Sequence, residues 1–243
     1  NPVRTVTYQY NDGVTPDQVT KYWPGKEVVI DGDPSRDNYQ FSGWTVTGIA
    51  YTEGMSSFTM PQNDVVFSAN WTQNEHTLTI HYVYADGSEA ATDHSETLAF
   101  GTEYRVTSPV IAGYTADQTV VSGTMPDDDV TVTVTYTANE HTLTIHYVYA
   151  GGGEAATDYS ATVAYGAGYS VTSPTIEGYT ASQAVVSGTM PDDDVTVTVT
   201  YTANEHTLTI HYVYADGSEA ATDYSATVAY GAGYSVTSPT IEG

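Results

Sequence analysis

Across 243 residues the chain carries 30 acidic side chains against 5 basic ones, a formal charge of −25, and no cysteine. So few bases argue against neutralising phosphates, and so against nucleic acids and anionic membrane surfaces as partners. The missing cysteines exclude disulfides, thiolate zinc sites and cysteine nucleophiles together.

The first 74 residues hold Arg4, Lys21, Lys26 and Arg36, four of the five bases. Alternating residues predict a strand over Val3–Tyr10, and Asn11-Asp12-Gly13 reads as a turn. The segment closes with Thr59-Met60-Pro61-Gln62-Asn63-Asp64-Val65 and a strand ending near Trp71. From Glu75 onward one pattern takes over. Glu75-His76-Thr77-Leu78-Thr79-Ile80-His81-Tyr82-Val83-Tyr84-Ala85 returns at 140–150 and 205–215, an interval of 65 residues. The first two copies agree at 52 of 65 positions, and the third stops at Gly243, before its closing strand.

Within a copy, Leu78, Ile80, Tyr82 and Tyr84 share one strand face, with Thr77, Thr79, His81 and Val83 on the other. Asp86-Gly87 predicts a hairpin turn, followed by a strand around Thr92–Phe100. One short helical turn is expected near Gly101–Tyr104 and no longer helix. Val130-Thr131-Val132-Thr133-Val134-Thr135-Tyr136 alternates cleanly and predicts the closing strand. Its equivalent is Val195–Tyr201. Only Thr137-Ala138-Asn139-Glu140 separates one copy from the next, with neither Gly nor Pro, so the joint is short and stiff.

The fold expected is therefore mainly β with little helix, a tandem array of small domains at 1–74, 75–139, 140–204 and 205–243. A period of 65 residues suits a domain that closes its own core better than a solenoid repeat. Beads of like charge favour an extended, monomeric rod. Without its closing strand the third copy is completed either by residues beyond Gly243 or by a strand from another chain. With no signal peptide or C-terminal sorting motif, the chain reads as an internal segment of something longer.

These residues resemble a known family. The opening Leu78–Tyr84 strand, Asp86-Gly87-Ser88, Ile111-Ala112-Gly113-Tyr114 (Ile176-Glu177-Gly178-Tyr179 in the next copy) and the Val130–Tyr136 strand are similar to MucBP (mucin-binding protein) repeats of Gram-positive surface proteins. Val6-Thr7-Tyr8, Asn11-Asp12-Gly13, Tyr39-Gln40-Phe41-Ser42-Gly43-Trp44 and Thr59-Met60-Pro61 resemble the Listeria–Bacteroides repeat of the internalin B type. The resemblance implies β-grasp-like domains in secreted or wall-attached adhesins, with host glycoproteins or mucin glycans, or no ligand at all, as partners of this segment.

Several residue groups carry candidate chemistry. Asp127-Asp128-Asp129 and Asp192-Asp193-Asp194 offer oxygen ligands to calcium, or serve as turns whose carboxylates accept backbone N–H bonds. They lack the alternating ligand spacing of an EF-hand, and no other cofactor is implied. His81, His146 and His211 lie five residues after His76, His141 and His206, on the opposite strand face, where one straight strand cannot chelate with both. They are glycan or pH-sensitive contacts, or surface histidines. Tyr104, Tyr114, Tyr159, Tyr169 and Tyr179, read as loop tyrosines, can stack on sugar rings or pack at core rims. Lys21 and Lys26 are the only lysines, so the 65-residue units cannot form an isopeptide bond; the N-terminal module could, with an Asn and a nearby carboxylate, though none is expected.

No nucleophile elbow, phosphate loop or zinc helix is present, so no catalytic residue is expected and the segment is not read as an enzyme. Near-identical copies suit multivalent adhesion or a stalk for a distal binding domain, at a cell surface or secreted. The alternative is a set of spacer repeats in a large secreted enzyme or a surface filament.

Overall fold

A computed structural model describes residues 2–242, and all of its regular structure is β. The chain forms two compact units, Asn1–Pro109 with Ala116–Thr135, and Val110–Thr115 with Tyr136–Gly243.

In the first unit, β1 (Arg4–Gln9), β2 (Gln18–Tyr22), β4 (Tyr39–Thr47) and β6 (Val65–Gln73) make one sheet in the order β2–β1–β6–β4. β3 (Glu27–Val29) and β5 (Ser57–Thr59) pair apart from it. Between them lies an aromatic core of Tyr8, Trp44, Phe58 and Phe67 with Val6, Val28, Met60 and Val65. Trp44 meets Phe67 edge-on at 5.9 Å and Tyr8 at 5.4 Å, the geometry that ring quadrupoles favour. The Tyr8 hydroxyl accepts the Asp31 N–H at 3.0 Å. Burial pushes its pKa up to about 12.

The second repeat, wholly in the second unit after Val110–Thr115, shows how a copy folds. Following β7 (Glu75–Tyr84), β8 (Glu89–Ala99), β9 (Glu103–Thr107), β10 (Tyr114–Ala116), β11 (Val120–Thr124) and β12 (Val130–Ala138) of the first copy come β13 (Glu140–Tyr149), β14 (Glu154–Ala164), β15 (Gly168–Thr172), β16 (Tyr179–Ala181), β17 (Val185–Thr189) and β18 (Val195–Ala203). The sheet runs β14–β13–β18–β16, and β15 pairs with β17 alone. β13 and β18 are parallel, with Leu143 opposite Val195 and Tyr149 opposite Tyr201. All the chain between them forms one long crossover, as parallel pairing requires.

Period-2 alternation fixes which side is buried. Leu143, Ile145, Tyr147, Val199 and Tyr201 turn inward onto Val186 and Met190. Thr142, Thr196 and Thr198 face water. Leu143 and Ile145 are fully buried, each worth roughly 1.5–3 kcal/mol of transfer free energy.

The expected helical turn near Gly101–Tyr104 is replaced by a tight turn and a strand. Thr102 N–H donates to Ala99 O at 3.0 Å, Gly101 sits at φ +77°, and Glu103 already begins β9. The positive φ at Gly101 breaks any helix there, since only a residue without Cβ adopts it freely. In the third copy β19 (Glu205–Val213) pairs with β20 (Glu219–Ala229) in the register of the earlier hairpins. Ile210 and Tyr212 are only half-buried there.

Candidate functional site: the joints and the open sheet face

One asparagine separates each closing strand from the next opening strand. Asn139 lies between β12 and β13, and Asn204 between β18 and β19. Its backbone N–H donates backward and its C=O accepts from ahead. Asn139 N–H reaches Gly113 O at 2.9 Å, and Tyr165 N–H reaches Asn139 O at 2.8 Å. Its side chain works the same way: Oδ1 accepts from Thr115 Oγ1 at 2.7 Å, while Nδ2 donates to Asp192 Oδ1 at 3.1 Å. Asn204 repeats this, bonded to Gly178 O, Tyr230 N–H and Thr180 Oγ1.

An aromatic ring covers each joint. Tyr165 lies against Gly113 so closely that a Cβ there would fall 2.3 Å from the ring, and Tyr230 lies 2.2 Å from a Cβ on Gly178. Both glycines also hold positive φ, +79° and +78°, so they meet a steric and a backbone demand together. Tyr114 stands edge-on to Tyr165 at 5.6 Å, and Tyr179 to Tyr230 at 5.8 Å.

The first unit uses the same joint with different residues. Asn74 N–H donates to Asn38 O at 3.0 Å, and Phe100 N–H donates to Asn74 O at 2.7 Å. Asn38 has φ +67°, a left-handed conformation that asparagine tolerates. Tyr39 and Phe100 take the places of the paired tyrosines, 6.4 Å apart. The joint is therefore common to both domain types, though they share little sequence.

The acidic triplets complete this arrangement. Asp127 Oδ1 accepts Asn74 Nδ2 and His76 Nε2, both at 3.0 Å. Asp192 does the same with Asn139 and His141. The hydrogen bonds from the asparagine amide, then from the histidine, hold both carboxyls below the ordinary range. Asp129 accepts the Thr77 N–H at 2.7 Å and Asp194 the Thr142 N–H at 2.6 Å. Asp64 accepts the Thr5 N–H at 2.8 Å and its pKa is lowered chiefly by that bond. The last aspartate of each triplet thus latches the start of an opening strand, which explains why Asp64 alone is retained in the N-terminal module. Asp128 and Asp193 bond only to the next N–H in the chain. Among the described residues no group of three His, Asp or Glu side chains is arranged to hold a metal.

The remaining candidates divide between joint, core rim and open face. Tyr104, Tyr114, Tyr159, Tyr169 and Tyr179 lie on strands rather than in loops. The Tyr104 and Tyr169 hydroxyls pack over Gly123 and Gly188, where a Cβ would lie within 2.7 Å. Tyr179 packs on Tyr149 at 4.8 Å. Tyr159 is the most open of the five, at 37% exposure. His81, His146 and His211 sit on the outer face, each 2.6 Å from a cross-strand carboxylate, Asp93, Asp158 or Asp223. In the second repeat this pair lies amid Thr142, Thr144, Ser160, Thr162, Thr196 and Thr198, a hydroxyl-bearing surface. Sequence reasoning missed the joint asparagines and the rings over the glycines. Their signal was present: Asn74, Asn139 and Asn204 recur at the repeat interval.

The MucBP domain profile matches residues 77–137, 142–202 and 207–243. The chain belongs to the MucBP domain family. The Divergent InlB B-repeat domain profile matches residues 4–75. Internalin I of Listeria monocytogenes is 28% identical over 172 residues, which are 68% of this chain and 10% of that protein. A MucBP domain from Lactobacillus acidophilus is 30% identical, covers 27% of this chain and 92% of its own, and superposes with TM-score 0.24. The MucBP domain of an adhesion protein from Pediococcus pentosaceus is 27% identical, covering 54% of this chain and 99% of its own, at TM-score 0.16. No described helix is long and apolar enough to cross a membrane.

Proposed function

We propose that this segment is a stalk in an extracellular bacterial adhesin, built of four modules (1–74, 75–139, 140–204 and 205–243) and projecting a distal binding domain. The observation that carries this reading is the joint. One asparagine is bonded through N–H, C=O and side chain to the modules on both sides. A ring seated on a glycine closes the same junction. A flexible linker leaves such groups to water; here they are hydrogen-bonded within the joint, which supports the stalk reading.

The test exploits the cysteine-free sequence. Spin labels on Ser160→Cys and Ser225→Cys report the distance across the Asn204 joint. A narrow distribution is expected, broadened by Gly178→Ala; a broad distribution in the parent protein would overturn the stalk.

A second reading, multivalent contact with mucin glycans, rests on the open hydroxyl face around His146–Asp158, recurring around His81–Asp93 and His211–Asp223. Under this reading retention on immobilised mucin rises steeply with repeat number. Equal retention for one and for three repeats leaves the stalk alone.

A further inference from the structure

The hairpin strands β8, β14 and β20 each pair on one side only, with β7, β13 and β19. β14 ends its sheet. These are long edges, 11 residues each, whereas protein edges are ordinarily short or interrupted by lysine, proline or a covering loop. None of the three contains Pro, Lys or Arg. Apart from register breaks at the turn end of each hairpin, their protection is negative charge: Glu89, Asp93 and Glu96 on β8, Glu154 and Asp158 on β14, Glu219 and Asp223 on β20.

Which backbone groups face outward follows from one bond. Tyr165 N–H donates across to Asn139 O. By antiparallel alternation, Val163 and Ala161 also turn inward to β13, and Thr162 and Ser160 turn their N–H and C=O away from it. Phe100 and Tyr230 make the equivalent bonds to Asn74 and Asn204, so Thr97 and Thr227 point outward likewise. Ser160 and Thr162 are exposed, and Asp93, Asp158 and Asp223 keep 47%, 48% and 46% of their side-chain surface.

We infer that these edges are docking sites for an extended cationic peptide, which adds a strand to each hairpin with its alternate basic side chains beside Asp93, Asp158 or Asp223. Main-chain hydrogen bonds supply the pairing, and the carboxylates select the sign of the partner. A second copy of the chain is disfavoured at the same edge, because acidic residues would then face one another. From Glu140 onward the chain has no basic residue to offer in return.

The probe is a peptide of alternating Lys and Val, titrated into the full chain at low salt, with its Glu–Val counterpart and a block-ordered peptide of identical Lys and Val content as controls. The alternating cationic peptide is expected to bind and to slow amide exchange at Ser160 and Thr162. Substituting Thr97→Pro, Thr162→Pro and Thr227→Pro together removes a central outward donor from each edge while keeping the inner ladder, as proline allows on an edge strand. Circular dichroism checks that the fold persists, and binding then falls at least tenfold. Binding that survives the prolines, or equals that of the block-ordered peptide, would show charge attraction alone and overturn the inference. So would an absence of binding, or self-association of the chain through these edges.

Discussion

Gly178 and Asp194 show how single residues serve the joint and the strand start. Adding one methyl group at Gly178 places it against the Tyr230 ring in a backbone conformation that L side chains avoid. Gly178→Ala should therefore cost about 1–3 kcal/mol, the range for overpacking, and speed amide exchange at Asn204 and Tyr230. Within the triplet Asp192-Asp193-Asp194 the three carboxylates have different tasks. Asp194→Ala frees the Thr142 N–H and should lower the denaturation midpoint, whereas Asp193→Ala, touching only its neighbour's N–H, should leave it in place. Equal effects of the two would refute the latch.

At the scale of elements, burial sets the cost of a change. Leu143 in β13 is fully buried, while Leu208, the same residue in β19, is half-buried. Leu143→Ala should cost about 2–5 kcal/mol and Leu208→Ala less than about 2 kcal/mol, measured by chemical denaturation. Acid tests the hydrogen-bonded aspartates. Asp64, Asp127 and Asp192 have folded pKa values below the ordinary carboxylate range, through hydrogen bonds from Thr5, Asn74 and Asn139 respectively, and Asp12 falls to about 2 under bonds from Thr15. Because the folded values are depressed, their stabilisation is complete above about pH 4 and fades as the pH drops through the folded values. Melting temperatures should fall between about pH 4 and 2; a melting temperature unchanged down to pH 2 would contradict this.

Alternation made β7, β12 and their copies legible in the sequence, since Val/Thr and Leu/Thr patterns state both strand and buried face. The hairpin turn at Asp86-Gly87 was equally plain. The joints were not, because their groups come from far apart. Asn139 meets Gly113, Thr115, Tyr165 and Asp192, and no local pattern links an asparagine to a residue 53 positions away. The placing of the five candidate tyrosines in loops failed for a related reason. Gly and Pro around Tyr104, Tyr114, Tyr169 and Tyr179 suggest loops, yet three- and five-residue strands fit between the turns. Of the proposed contact residues, the histidines alone came together with partners on the open face.

For the whole molecule, charge and joint act together. The −25 is spread along the chain, with no base after Arg105, and like charges of this kind oppose self-association. Small-angle scattering on proteins carrying one, two and three MucBP repeats tests the stalk most directly. The maximum dimension should rise by a constant ~30 Å per repeat, the span of one nine-residue strand. A dimension that levels off as repeats are added, as for a compact cluster, would contradict it.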